Sequence, residues 1–163
     1  MPRIGGPGTD VWAGQIYGRY AIRYHVPTAI PKYSQAWLLW PNSNVHPRDG
    51  EIDFPESNFG AGDNIRAFMH RQNGTSGSDQ DYYDSGVDVA GSGWHTAVIE
   101  WLPNSCKFIL DGRVIGNSTS RIPNTSMRYV IQTETWFGSG LDDPDDATQG
   151  HILIDWVSVY KPA

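Results

Sequence analysis

Apolar and polar positions alternate along much of this chain, most regularly in Asn64-Ile65-Arg66-Ala67-Phe68-Met69-His70. A period of two sends successive side chains to opposite faces of an extended strand, so the pattern predicts half-buried strands. Segments of this kind fall at 15–26, 34–40, 51–56, 64–71, 81–88, 95–102, 106–110, 113–116, 127–135 and 150–160. No window of useful length repeats at the helical period. Between 106–110 and 113–116 stands Asp111-Gly112, a two-residue hairpin signal because glycine tolerates positive φ. Segment 34–40 is apolar on both faces, with Trp37 and Leu39 on one side and Leu38 and Trp40 on the other. In a two-sheet sandwich one face fills the core, and the other needs a different use. Aromatic rings facing outward suit sugars, whose C–H faces stack on flat rings. The expected fold is an all-β sandwich with one sheet curved into a groove, formed by residues 14–163 after an irregular arm at 1–13.

Composition agrees with short strands and many turns. Charged residues make up 18% of the chain, against 18 Gly, 11 Pro, 7 Trp and 8 Tyr. A net charge of −6 with no stripe of Lys or Arg argues against nucleic acid as a partner. Cys106 is the single cysteine, which excludes an intrachain disulfide, and no Cys/His spacing has the form of a zinc motif. No segment approaches a membrane span, and the N-terminus lacks the basic-then-apolar pattern of a signal peptide.

The chemistry concentrates in Asp49-Gly50-Glu51-Ile52-Asp53-Phe54-Pro55-Glu56. Residues two apart share a strand face, so Glu51 and Asp53 point the same way, whereas regular alternation sends Glu56 to the other side. One β-bulge between Asp53 and Glu56 brings the three acids together, and Pro55 sits where a sheet accommodates proline. Three neighbouring acids raise at least one carboxyl pKa, which supplies both an ionised and a protonated group near neutral pH. Glycoside hydrolysis needs that pair, and neighbours on one strand face suit the short retaining separation of about 5 Å better than the wider inverting one. A solvated acidic face and a calcium site are the other uses of such a run. Calcium prefers the oxygens of a flexible loop over a continuous strand.

These residues resemble glycoside hydrolase family 16, the laminarinase, lichenase, agarase and carrageenase group, in its bulged Glu-x-Asp-x-x-Glu form. Glu-Ile-Asp-Phe-Pro-Glu at 51–56 carries the likeness. It is supported by Tyr17-Gly18-Arg19-Tyr20, Ala36-Trp37-Leu38-Leu39-Trp40-Pro41, Trp94-His95-Thr96 with Glu100-Trp101, Phe108-Ile109-Leu110-Asp111-Gly112, the run from Met127 to Glu134, and Ile154-Asp155-Trp156. The resemblance implies a concanavalin-like β-jelly-roll with a concave glycan cleft. It implies Glu51 as nucleophile, Glu56 as general acid and then base, and Asp53 as the residue that tunes the nucleophile. Trp40, His70, Gln132, Glu134 and Trp136 are the expected sugar-binding residues; His95 and Trp101 are expected to be structural. The chemistry requires no cofactor. Many relatives hold a structural calcium, and Asp155 matches the position of one ligand.

Relatives normally carry further strands before the Tyr-Gly-Arg block, where this chain has only residues 1–13. The fold is therefore expected to be N-terminally shortened. An uncovered sheet edge would then invite a homodimer, or the chain would be a piece of a longer one. The family is mostly secreted. The function expected first is retaining endo-hydrolysis of a polysaccharide, a β-1,3- or β-1,3-1,4-glucan ahead of a galactan. The alternatives are a lectin-like binding module on the same sandwich and an assembly domain that uses the free edge.

Overall fold

A computed structural model of the chain describes residues 14–135, 144 and 146–161. The arm expected at 1–13 and Trp136 lie outside the described residues. Ten strands follow in chain order: β1 (Gly18–His25), β2 (Tyr33–Pro41), β3 (Glu51–Asn58), β4 (Asn64–His70), β5 (Gln80–Asp88), β6 (Trp94–Leu102), β7 (Ser105–Leu110), β8 (Arg113–Ser118), β9 (Met127–Thr135) and β10 (Leu153–Tyr160). They build two five-stranded sheets, ordered β10-β1-β6-β7-β8 and β5-β4-β3-β2-β9, with antiparallel pairing throughout.

Each predicted segment became a strand, with shifted ends. β1 starts at Gly18 because Tyr17 (φ 64°) and Gly18 (φ 138°) interrupt the extended run. The hairpin between β7 and β8 turns on Asp111 (φ 49°) and Gly112 (φ 82°), the two positive angles that a two-residue turn of type I′ demands.

Alternation decides what each sheet buries. In β4, Ile65, Ala67 and Met69 point inward while Asn64, Arg66, Phe68 and His70 point outward. In β2, Trp37 and Leu39 are fully buried. Across the core the Trp37 ring meets Tyr24 at 4.8 Å and Phe54 meets Phe108 at 5.6 Å. Each such side chain contributes about 1.5–3 kcal/mol through burial. Two buried donors find partners inside: Trp101 Nε1 donates to the Pro123 carbonyl at 2.8 Å, and the Gln35 amide donates to Ser57 Oγ at 3.0 Å. His95, also buried, bridges Ser92 Oγ and Asp111 Oδ2, each at 2.7 Å. That chain has the residue types of an acyl-transfer triad, but the Ser92 hydroxyl donates to the Asp88 carbonyl at 2.5 Å. Its proton is committed there, so the cluster ties the start of β6 to the β7–β8 turn. His95 and Trp101 are thus structural, as expected.

β10 is the edge strand of its sheet and pairs with β1 alone among the described residues. Leu153, Ile154, Trp156, Val159 and Tyr160 are exposed along it.

Candidate active site

The outer face of the β5-β4-β3-β2-β9 sheet carries a groove of about 580 Å³ lined by Ala36, Leu38, Trp40, Glu51, Asp53, Glu56, His70, Arg128, Val130 and Gln132. Register explains how these side chains converge. Glu51 lies opposite His70 and Asp53 opposite Phe68, after which the pairing of β3 with β4 slips and resumes at Glu56 opposite Arg66. The same slip appears against β2, where Leu38 faces Asp53 and Ala36 faces Glu56. One extra residue is therefore spent between Asp53 and Glu56. Phe54 and Pro55 are both buried, and all three acids turn toward the groove. This is the bulge that the sequence predicts, at the predicted place.

The entry to β3 is fixed just as tightly. Gly50 has φ 74°, and a Cβ there would stand 2.8 Å from the His70 carbonyl oxygen and 2.6 Å from Pro123 Cγ. Beside it, Asp49 is buried, accepts from Ser43 Oγ at 2.5 Å and from Arg48 Nε at 2.7 Å, and is held below the usual carboxylate range chiefly by Arg48. These bonds pin the segment between β2 and β3, which carries His46. The His46 ring stacks on Trp40 at 5.5 Å with planes 25° apart, and its Nε2 lies 3.1 Å from Glu51 Oε2. Trp40 donates through Nε1 to Asn44 Oδ1 at 3.0 Å. His70 Nε2 lies 3.3 Å from Asp53 Oδ2.

Burial governs the electrostatics. It pushes Glu51 up to about 9, with help from Asp53 and against the pull of His70. Glu56 rises to about 7, first through burial and then through the charge of Glu51, while His70 and Arg66 oppose the rise. Asp53, only 2% exposed, is raised well above the usual range by burial and by the charge of Glu56. Neither Asp53 oxygen has an aligned hydrogen-bond donor among the described residues. Two buried carboxyls in contact without such a donor are stabilised by sharing a proton, and Glu51 and Asp53 stand in that relation. His46 is lowered by its own burial and by the charge of His70.

Of the residues expected from the sequence, Glu51, Asp53, Glu56, Trp40, His70 and Gln132 line the groove together. Glu134 is not a lining residue; it accepts a hydrogen bond from the Gln132 amide, two positions along the same face of β9. Asp155 accepts from Arg23 Nη1 at 2.5 Å across the β1–β10 pair. No trio of His, Cys, Asp or Glu donors gathers around it among the described residues. Sequence inspection missed His46 and Arg128. Arg128 shares the β9 parity of Gln132, which was signal enough to find it. His46 lies outside any strand, where no period assigns a face.

The family model described as glycosyl hydrolases family 16 matches residues 3–158. A β-glucanase of Bacillus subtilis (strain 168) is 31% identical over 98 residues, covering 58% of this chain and 39% of the relative. The chain thus spans well under half the length of that curated protein. Among solved structures, the catalytic domain of an endo-1,3-β-glucanase (laminarinase) from Thermotoga petrophila RKU-1 superposes with a TM-score of 0.74 at 22% identity, over 92% of this chain and 66% of that one. A GlcNAcα1-4Gal-releasing endo-β-galactosidase from Clostridium perfringens also gives 0.74, at 24% identity, over 92% of this chain and 39% of its own. These structural likenesses establish the jelly-roll fold.

Proposed function

The chain belongs to glycosyl hydrolases family 16, and on that premise we propose that it is a retaining endo-β-glycanase acting on β-1,3- or mixed β-1,3-1,4-glucan. The observation that carries the proposal is the bulged register of β3, which gathers Glu51, Asp53 and Glu56 on the floor of an open groove. The β-glucanase and laminarinase relatives support a glucan over a galactan.

Double displacement assigns each acid a task. The Glu51 carboxylate attacks the anomeric carbon, the glycosidic C–O bond breaks, and Glu56 gives its proton to the departing sugar oxygen. Water then attacks the same carbon, returns a proton to Glu56 and releases Glu51. The reactive state needs Glu51 ionised and Glu56 protonated. Glu51 holds its proton to a higher pH than Glu56 does. Bringing the site to readiness therefore requires moving a proton off Glu51. Asp53, beside it and without an aligned donor, accepts that proton, while the nearby His70 opposes the negative charge left on Glu51. Trp40 and Gln132 line the groove as sugar contacts, Glu134 holds the Gln132 amide, and Trp136 is the remaining proposed contact. The exposed β10 edge is the surface through which a second copy would pair.

A binding-only reading draws on one observation, the high pKa of Glu51: a cleft whose nucleophile keeps its proton holds a glycan without cutting it. Reducing-end release from laminarin, barley glucan, agarose and carrageenan, with Glu51→Gln alongside, separates the two. Release by the wild type alone establishes the hydrolase and its glycan. Saturable binding without release by either protein refutes the hydrolase in favour of the module.

A further inference from the structure

We infer that His46, Glu51 and His70 form a binding site for one borderline transition-metal ion, such as Zn²⁺, at the groove floor. One donor atom from each residue lies within 4.8 Å of the other two. His46 Nε2 and Glu51 Oε2 are 3.1 Å apart, close to the roughly 3.3 Å edge of a tetrahedron built on metal–ligand bonds of about 2.0–2.1 Å. Rotation of the side chains about their own bonds closes the remaining edges. The linear sequence has no zinc spacing because the two histidines come from different elements. His46 arrives on the segment leading into β3, and His70 sits on β4 directly across from Glu51.

The donors are prepared for a ligand. His46 Nε2 is buried and has no aligned hydrogen-bond partner among the described residues, and the same holds for His70 Nδ1. The His46 ring is held by its stack on Trp40, and the two imidazoles meet edge to face at 5.4 Å. Beside them Asp53 is buried, with its Oδ2 3.3 Å from His70 Nε2. A carboxylate against a ligating imidazole orients the ring and raises its basicity. Two imidazoles and one carboxylate select Zn²⁺, Co²⁺, Ni²⁺ or Cu²⁺ over Ca²⁺ and Mg²⁺, which take oxygen ligands. Three protein donors leave a fourth position open toward the groove. A metal bound there occupies the lone pair of Glu51, so it competes with substrate; that consequence rests on the hydrolase reading, while the binding does not.

Titration of the full chain with Zn²⁺ by calorimetry, and with Co²⁺ by visible absorption, tests the site without any assay of turnover. One ion per chain is expected, with the visible bands of a four-coordinate cobalt site. His46→Asn and His70→Asn should each weaken binding at least tenfold, on the order of what outer-shell losses alone cost, whereas His25→Asn should leave it unchanged. Absence of one-to-one binding, or affinity indifferent to His46→Asn, overturns the proposal. In a parallel assay on glucan, Zn²⁺ should raise the apparent KM and excess chelator should restore it. A protein that binds zinc at this site but never cleaves glucan sinks the hydrolase and leaves the metal site standing.

Discussion

Replacing Glu51 with Gln should make the protein more stable, by an amount that depends on pH. Burial raises the Glu51 carboxyl from 4.5 to about 9 in the folded chain. Below about pH 4.5 both states hold the proton and the residue is neutral to stability. Between 4.5 and 9 the unfolded chain ionises while the folded chain keeps its proton, so stability is lost steadily as pH rises. Each unit costs about 1.4 kcal/mol, so the penalty at pH 7 is at most roughly 3.4 kcal/mol. Shared protons with Asp53 and solvent at the mouth of the groove reduce it to about 2 kcal/mol. Gln keeps the shape and never ionises, and the penalty disappears. For a chain of 163 residues that gain corresponds to roughly 4–8 °C in Tm. Urea unfolding of both proteins at pH 4.5, 6, 7 and 8 measures it, with unchanged m-values as the sign that the unfolded state is the same. The two should coincide at pH 4.5 and diverge with rising pH. A difference that is flat with pH, or a wild type more stable at pH 7, would refute the account of a strained carboxyl. The same variant should be inactive, which places the acid among residues kept for chemistry at the expense of stability.

Three further outcomes follow from the site. Activity should fall as pH rises through about 7, because Glu56 must enter the reaction protonated and burial places its pKa there; a kcat/KM profile still rising at pH 9 contradicts that role. Glu56→Ala should lose several orders of magnitude on glucan but far less on an aryl glycoside whose leaving group needs no proton, and azide should rescue it as a β-glycosyl azide. An α-configured azide would instead make Glu56 the nucleophile. Gly50→Ala should cost about 1–3 kcal/mol, since its Cβ meets the His70 carbonyl at 2.8 Å and its φ of 74° disfavours a side chain; circular-dichroism melting checks it, and an unchanged Tm would show that the segment yields.

Much of this arrangement is legible in the sequence. Pro55 marks the bulge because proline removes a ladder donor, and the double apolar character of β2 separates Trp37 and Leu39 in the core from Leu38 and Trp40 in the groove. The Asp111-Gly112 turn follows from backbone sterics alone. Periodicity fails where position depends on something other than a strand. His46 reaches Glu51 only because Asp49, Ser43, Arg48 and the Trp40 ring hold its segment, and no period encodes such contacts. The ion pair of Asp155 with Arg23 is likewise not written in the sequence, since it follows from the β1–β10 pairing. Cross-strand neighbours of that kind are fixed by register, which a single sequence does not carry.

The slip in β3 has a consequence for how this groove can change over generations. Which side of a strand a residue occupies is a two-valued property, settled by counting from its neighbours. Exchange of Phe54 or Pro55 for another residue alters packing and leaves the count intact, so Glu56 still faces the groove. Loss of a single codon between Asp53 and Glu56 would remove the extra residue, and plain alternation would then keep Glu56 on the groove side two places after Asp53, with Ser57 still in the core beside Gln35. The acid constellation is thus buffered against point substitution and against loss of the bulge itself, so its variants can differ in the length of this motif while all three acids stay on one face.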